Sequence, residues 1–146
     1  MTAPRHIFQT FIRATPEAIW QAITDPDFTE RYFHRSRVTS SFENGERLSY
    51  FIDGELAVDG KVVEADPPKR LVQTWQFTRN PIYREDAPSR VTWEIEPMGE
   101  ACKLTLTHDD FAGETVTFKS VGSGWPVVLS SLKSLLETGE GLALAR

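Results

Sequence analysis

The residue of this sequence best suited to acid–base chemistry is His108, which ends a run of alternating polar and apolar residues just before Asp109 and Asp110. A histidine in that place could orient a ligand at the mouth of a cavity, or exchange a proton together with a tyrosine such as Tyr32 or Tyr50. The alternative is a hydrogen-bonded histidine at a strand end, followed by two solvated carboxylates. Because the sequence alone does not separate the two, we assign no catalytic residue and keep His108 as a candidate.

Other reactive arrangements are missing from the sequence. No serine lies in the GxSxG context of a nucleophile elbow. The glycine-serine-glycine at 122–124 resembles part of a phosphate loop, but the lysine and the preceding apolar strand of such a loop are absent. His6 and His34 are too far from His108 along the chain for a recognised metal-ligand spacing. We therefore expect neither a metal site nor a cofactor.

The composition is that of one compact domain. The chain has 146 residues, of which 40% are hydrophobic and 25% charged, and a single core is expected at this length. The net charge of −5 argues against binding nucleic acid or anionic membranes through bulk electrostatics. No apolar run approaches the roughly 18 residues of a membrane span. We predict a single cytoplasmic domain over residues 1–146, with no nucleic-acid partner and no membrane insertion.

Cys102 is the only cysteine in the sequence. A single cysteine excludes an internal disulfide and a thiolate metal cluster, and it fits a reducing compartment. We interpret Cys102 as a small residue buried near the start of a strand, with a reactive thiol as the alternative.

The N-terminal part predicts a strand followed by two short helical pieces. Residues 6–13 are rich in β-formers. Thr15 is a good helix cap, Pro16 fits the first helical position, and Glu17 suits the positive end of the helix dipole. Asp25 and Pro26 then interrupt this helix, and the aromatic residues that follow predict a second short helix or turn.

Between residues 37 and 109 the hydrophobic period changes to two, and turn residues separate the apolar runs, which predicts an antiparallel meander. Predicted strands lie near 37–42, 46–52, 56–65, 70–78, 89–97 and 102–109. Alternation is clearest at RVTWEIE, where Val91, Trp93 and Ile95 share one face. The neighbouring strands continue this apolar face with Leu71, Trp75, Phe77, Leu104, Leu106 and His108.

The C-terminal stretch GWPVVLSSLKSLLETG, residues 124–139, has apolar residues three and four apart and predicts an amphipathic helix of about 16 residues. Ser123 is the expected N-terminal cap, Pro126 is expected in the first turn, and Gly139 suits the C-terminal end. One long helix facing one sheet is the arrangement that buries both apolar faces.

Four segments resemble the SRPBCC, or START-like, superfamily: ATPEAIWQAITDP (14–26), DGKVVEADPPKRLVQTW (59–75), SRVTWEIEPMGEACKLTLTHDDF (89–111) and GWPVVLSSLKSLLETG (124–139). Within it the chain looks like the bacterial single-domain homologues of the C-terminal domain of the activator of heat shock protein 90 ATPase. The resemblance implies an α+β helix-grip fold. In that fold a curved antiparallel sheet of about seven strands wraps on a long C-terminal helix, and two short helices follow strand 1. In this pattern Gly60 would let a strand bend, and Gly124 and Trp125 would open the final helix.

The resemblance also implies an apolar cavity between the sheet and the last helix, of the kind that the superfamily uses for hydrophobic small molecules. We therefore expect binding of a hydrophobic or aromatic small molecule, without catalysis. The same side chains could instead fill a core without a cavity. The expected ligand-binding residues are Tyr32, Phe33, Tyr50, Trp75, Phe77, Trp93, His108, Phe111, Trp125, Leu129 and Leu132.

Two other functions remain as alternatives. One is a cyclase- or hydrolase-type enzyme that uses a histidine and a tyrosine of the cavity. The other is a chaperone-regulating interaction module; we do not expect a chaperone partner, because the full activator has an additional N-terminal domain that this sequence does not contain. The segment 79–88 carries Ile82 and Tyr83 and could form a lid, a homodimer contact or an ordinary hairpin tip.

Overall fold

The computed structural model describes residues 3–142 and begins with a strand and two short helices. Strand β1 (His6–Ile12) is followed by α1 (Pro16–Thr24) and α2 (Pro26–Tyr32). The Thr15 hydroxyl accepts from the Ala18 N–H at 3.1 Å and caps α1, and Asp25 Oδ1 accepts from the Asp27 N–H at 2.9 Å and caps α2. The predicted order of a strand and two short helices is confirmed, because each helix starts on a proline directly after a capping residue.

The described residues form an eight-stranded antiparallel sheet. After β1 come β2 (Arg37–Thr39), β3 (Ser49–Ile52), β4 (Glu55–Asp59), β5 (Val62–Asp66), β6 (Arg70–Phe77), β7 (Ser89–Met98) and β8 (Ala101–Asp109). Their order in the sheet is β1-β8-β7-β6-β4-β3-β2, with β5 also paired to β6. A short helix, α3 (Pro81–Arg84), lies in the connection between β6 and β7. The helix-grip architecture is thus confirmed, with one strand more than the expected seven.

The additional strand arises because the predicted strand 56–65 is two strands. Strand β4 pairs with the end of β6 through Val58 and Phe77, whereas β5 pairs with its beginning, where Val62 faces Gln73. Gly60 lies between them, and a Cβ on it would come within 2.0 Å of the Thr74 carbonyl oxygen. The chain bends at Gly60 because only glycine lets the two backbones come this close.

The apolar face predicted for the sheet forms the core. Leu71, Trp93, Leu104 and Leu106 are all at most 1% exposed, while Glu94, directly after Trp93 in β7, lies on the solvent side. Cys102 is 1% exposed, its thiol donates to the Ala14 carbonyl at 3.3 Å, and burial raises the pKa of the thiol. A buried and protonated thiol is a poor nucleophile, so Cys102 serves the packing.

The C-terminal helix, α4 (Val116–Thr138), has 23 residues and begins eight residues earlier than predicted. Thr115, and not Ser123, is its cap: the Thr115 hydroxyl accepts from the Phe118 N–H at 3.1 Å. Asp86, from the connection after α3, accepts from the backbone N–H of Thr117 at 2.9 Å and from its hydroxyl at 2.7 Å. Pro126 accordingly lies inside the helix, and the expectation that Gly124 and Trp125 open the helix is wrong.

The buried face of α4 contains five of the six residues that the apolar spacing predicts: Trp125, Val128, Leu129, Leu132 and Leu135. The sixth, Leu136, is partly buried against the core, and Val121, which lies before the predicted start of the helix, is buried as well. The helix ends at Gly139, which has the left-handed backbone expected of a C-terminal cap (φ 90°) and whose N–H donates to the Leu135 carbonyl. Within residues 3–142 no helix is both long enough and apolar enough to span a membrane.

Candidate functional site

A cavity of about 330 Å³ lies between the sheet and the N-terminal half of α4, with α3 at its rim. This volume is near the lower end of the range typical of small-molecule sites, about 300–1,000 Å³. Its walls are mainly aromatic and aliphatic, and three of its polar side chains, His34, Arg79 and Asn80, are exposed. The lining residues are Phe33, His34, Ser36, Tyr50, Ile52, Ala57, Val58, Trp75, Phe77, Arg79, Asn80, Tyr83, Ser120, Val121, Gly124, Trp125 and Val128.

Four aromatic rings from four different parts of the chain meet at this cavity. The Trp75 ring centroid lies 5.2 Å from that of Trp125 and 5.3 Å from that of Tyr50. Phe33 is 5.2 Å from Tyr50 and 5.5 Å from Trp125. Tilted and edge-to-face pairs at these distances hold each other in place, so the wall that a ligand would meet is preorganised.

The structure places the eleven expected ligand-binding residues in two groups. Five of them line the cavity: Phe33, Tyr50, Trp75, Phe77 and Trp125. The other six are buried at 7% exposure or less in the surrounding core and do not line the cavity: Tyr32, Trp93, His108, Phe111, Leu129 and Leu132. The period of two placed Trp75, Trp93 and His108 on the buried face of their strands, but it carries no information on where along a strand the packing leaves a gap.

Sequence reasoning missed several lining residues, among them Ala57, Val58, Val121, Gly124 and Val128. The sequence does contain a pattern that predicts the lining residues of α4: Val121, Trp125 and Val128 are spaced by four and three residues and share one face of a helix. It was lost with the incorrect helix start, which left Val121 outside the predicted helix. The two small aliphatic residues of β4 have no distinguishing signal in the sequence.

His108 is fully buried behind the cavity wall, and both of its ring nitrogens are occupied. The indole N–H of Trp125 donates to His108 Nδ1 at 2.9 Å. Nδ1 must therefore be unprotonated, which places the ring proton on Nε2, where it is donated to the Ser89 hydroxyl oxygen at 2.7 Å. This chain of hydrogen bonds ties β7, β8 and α4 together.

Burial also keeps His108 neutral. Its pKa is lowered to about 3, chiefly by desolvation and also by the nearby His6, with Asp109 opposing the shift. The hydroxyl of Tyr32 donates to the Ala22 carbonyl at 2.9 Å, and burial raises the pKa of Tyr32 well above its usual value. Burial likewise raises the pKa of Tyr50, although a hydrogen bond with Gln73 opposes this. None of these three groups exchanges protons readily near neutral pH.

The indole of Trp75 differs from these groups because its N–H has no hydrogen-bond partner. Trp75 is 2% exposed, and its Nε1 is the single buried side-chain nitrogen or oxygen without a partner among residues 3–142. The corresponding atoms of two other buried tryptophans are satisfied: Trp93 Nε1 donates to Gln73 Oε1 at 3.0 Å, and Trp125 donates to His108. Trp75 Nε1 is thus a donor sealed in the core without an acceptor, although the Trp75 side chain also borders the cavity.

The rim of the cavity is formed by α3 and is tied to α4. The Tyr83 hydroxyl donates to Ser120 Oγ at 3.4 Å, and its ring lies 5.2 Å from that of Phe77. Gln76 Nε2 donates to the carbonyls of Arg84 and Asp86 and holds the end of this connection. Ile82 is 54% exposed beside this rim. These contacts hold the connection between β6 and β7 against α4 at the edge of the cavity. A homodimer contact through the exposed Ile82 stays a prediction.

Comparison with known proteins identifies the family. Residues 13–137 match the family described as Activator of Hsp90 ATPase homolog 1-like protein. The chain belongs to this family. Its membership confirms the resemblance inferred from the four sequence segments and accounts for the long helix packed on an antiparallel sheet. No functionally curated protein matches the sequence.

Solved structures of several other proteins share the fold. A protein from Mesorhizobium loti is 24% identical with a TM-score of 0.78, over 92% of this chain and 97% of that one. The Aha1 dimer from Colwellia psychrerythraea is 22% identical with a TM-score of 0.77, over 94% and 99%. An HSP90 activator from Plasmodium falciparum is 23% identical with a TM-score of 0.74, over 90% and 95%. At these identities the likeness establishes the fold alone.

Proposed function

We propose that this protein binds a hydrophobic or aromatic small molecule in the cavity between the sheet and α4 and does not transform it. The observation that carries the proposal is the cavity itself, about 330 Å³ in volume and walled by Phe33, Tyr50, Trp75 and Trp125. A well-packed core of this size would leave no space larger than a few water molecules. Rigid aromatic walls favour a flat apolar ligand, which gains area of contact at little cost in entropy.

Binding is a better account of the site than acid–base catalysis. Both ring nitrogens of His108 are used by Trp125 and Ser89, so the histidine has neither a free lone pair nor a free proton for a substrate. Tyr32 does not line the cavity, and the hydroxyl of Tyr50 is engaged by Gln73 Nε2 at 3.3 Å. A cyclase or hydrolase that relied on these groups would first have to break these hydrogen bonds, of which the one between Trp125 and His108 holds α4 on the sheet.

A thermal-shift screen with planar apolar compounds tests the proposal. A ligand at 100 times its Kd stabilises the folded state by about 2.7 kcal/mol, which raises the melting temperature by several degrees. Quenching of tryptophan fluorescence would accompany this, because Trp75 and Trp125 line the cavity. If no planar apolar compound produced either signal at its solubility limit, the proposal would be wrong.

Gly124→Leu is the variant that separates binding from folding. Gly124 lines the cavity inside α4, and a Cβ built on it meets no atom within 4 Å. Leucine favours the helix interior over glycine by up to about 1 kcal/mol, so the free energy of unfolding should not fall. Its side chain would occupy the cavity, and we expect affinity for the ligands found above to drop at least about tenfold, or 1.4 kcal/mol, measured by titration calorimetry.

Val127→Leu is the matched control for this variant. Val127 is also in α4, is 38% exposed and does not line the cavity, so the same side chain there should leave the affinity unchanged. Equal affinities for the wild type and Gly124→Leu would mean that the ligand binds elsewhere on the protein. An equal loss of ligand affinity in both variants would mean that leucine in α4 disturbs the helix and does not act by filling the cavity.

A chaperone-directed function is the second candidate, because the family takes its description from an activator of Hsp90 ATPase and a Plasmodium falciparum relative is an HSP90 activator. Under the small-molecule proposal, the purified protein leaves the ATPase rate of the chaperone unchanged. The Plasmodium falciparum activator with its own chaperone serves as the positive control. Stimulation of the chaperone by this chain, retained in Gly124→Leu, would favour the chaperone function over cavity binding.

A further inference from the structure

Residues 139–142, which we call the C-terminal strap, turn back along α4 after the helix ends. The Ser134 hydroxyl donates to the Glu140 carbonyl at 2.7 Å. The Leu142 N–H donates to Ser131 Oγ, nearer the middle of the helix, at 3.0 Å. Ser131 is 4% exposed, so the strap supplies a partner to a polar side chain that α4 buries.

The strap also contacts the end of α2. The Arg31 guanidinium donates to the Gly139 carbonyl at 2.6 Å. A Cβ on Gly141 would come within 2.5 Å of the Arg31 carbonyl oxygen and within 2.9 Å of Ser131 Oγ. Glycine is required there because the strap fills the space between α2 and α4 and leaves no room for a side chain. The strap is thus a spacer between the two helices.

Both helices lead from the strap directly to the cavity wall. In α4, Val128 lines the cavity three residues before Ser131. On the other side, Phe33 lines it two residues after Arg31, and its ring lies 5.5 Å from that of Trp125. A shift of the end of α2 relative to α4 would therefore move the Phe33 ring towards or away from the opposite wall.

The turn that follows Phe33 is unfavourable by itself. The next two residues, His34 and Arg35, have left-handed backbones with φ of 51° and 58°. Residues with a side chain avoid this region, so such a turn persists only where surrounding contacts impose it. The contacts between the strap and Arg31, in the last turn of α2, lie where they supply part of that constraint.

We propose that the C-terminal strap, through Arg31 and Gly141, positions Phe33 and so controls the width of the cavity. Arg31 and Gly141 do not line the cavity, and they act on a ligand only through the Phe33 ring. This inference rests on the proposed binding function and adds to it a region outside the cavity that regulates the affinity. A change in the strap alters binding although no residue that touches the ligand is changed.

Gly141→Ala tests the inference with fluorene, a flat apolar probe. The added Cβ overlaps the Arg31 carbonyl and forces the strap away from α2. We expect the affinity for fluorene, measured by titration calorimetry, to fall by about three- to tenfold. Gly113→Ala is the control and should leave the affinity unchanged, because a Cβ there meets nothing within 4 Å.

Nuclear magnetic resonance of the indole N–H groups in the free protein separates a movement of Phe33 from a loss of stability. The Phe33 ring is stacked on that of Trp75 at 6.0 Å and lies edge-on to that of Trp125. In the part of the chain that the structure describes, it forms no ring pair with Trp93. We expect Gly141→Ala to shift the Trp75 and Trp125 signals and to leave the Trp93 signal close to its wild-type position.

Arg31→Met and Arg31→Lys keep the test decisive if Gly141→Ala does not fold. Methionine keeps much of the aliphatic chain but removes the donor to the Gly139 carbonyl, whereas lysine retains a donor. We expect Arg31→Met to reduce the fluorene affinity about threefold and to shift the same two indole signals. Arg31→Lys should restore most of both.

The outcomes distinguish this inference from the binding function. If Gly141→Ala and Arg31→Met keep the wild-type indole signals, with or without a fall in affinity, the strap does not position Phe33 and the inference is wrong, while binding of fluorene to the wild type still supports the binding function. If neither fluorene nor any other planar compound binds the wild type, the binding function is wrong. The indole signals of the free variants then decide the inference by themselves: a shift supports it and no shift overturns it.

Discussion

Replacing Gly60 with alanine is expected to lower the free energy of unfolding by about 3 kcal/mol, as overpacking at a rigid position does. The added Cβ would lie 2.0 Å from the Thr74 carbonyl oxygen and 2.8 Å from the carbonyl carbon of the same residue. These are backbone atoms of the central strand β6, and they cannot swing aside as the end of a flexible side chain could. Strand β4 or β5 would have to leave its pairing with β6.

Urea unfolding of Gly60→Ala, followed by fluorescence, measures this effect. Gly113→Ala is the matched control, because a Cβ there meets nothing within 4 Å and the backbone of Gly113 is not in the left-handed region. We expect the control to differ from the wild type by less than about 0.5 kcal/mol. A loss below about 1 kcal/mol in Gly60→Ala would show that β4 and β5 separate from β6 at little cost. Glycine would then not be required at their junction.

Acidification from pH 7 to pH 5 is expected to remove about 2 kcal/mol of stability through His108 alone. The pKa of a histidine in the unfolded chain is about 6.5, and that of His108 in the folded protein is lowered to about 3. Between these values the unfolded state binds a proton that the folded state does not. Stability therefore falls as the pH drops below about 6.5, and the loss continues until the pH approaches 3.

His108→Gln is the variant that isolates this contribution. A glutamine amide oxygen can accept from the Trp125 indole, and its N–H₂ can donate to Ser89, so the hydrogen bonds of the neutral imidazole are largely preserved. The difference in free energy of unfolding between the wild type and His108→Gln should then shrink or reverse as the pH is lowered from 7 to 5. Parallel pH profiles for the two proteins would contradict a buried neutral His108.

The role of His108 also bears on the site, because it positions Trp125. The indole of Trp125 forms part of the cavity wall, and its N–H is anchored on His108 Nδ1 at 2.9 Å. A protonated His108 could no longer accept that bond. The residue best suited to catalysis by its type therefore acts as a structural support for the ligand wall.

Much of the architecture could be predicted from local patterns. The capped starts of α1 and α2 depend on residues within three positions of each other, and the alternation of β7 depends on one strand alone. The start of α4 also has a local cap, Thr115, but Gly122 and Gly124 inside the helix have the local preferences of a helix end and hide it. Asp86, which lies 31 residues before Thr117, adds a contact to this start that no local pattern shows.

The sequence by itself determined the apolar face of the sheet, the family and the order of the elements apart from α3 and the division of 56–65 into two strands, because these follow from short-range spacing and from four matching segments. It also identified an aromatic set that contains all four rings of the cluster at the cavity, Phe33, Tyr50, Trp75 and Trp125, together with part of the surrounding core. Only the tertiary structure decided which rings border empty space and which fill the core. That division depends on packing between strands and helix, and it separates Trp75, whose side chain lines the cavity, from Trp93, which is buried in the core and donates its N–H to Gln73.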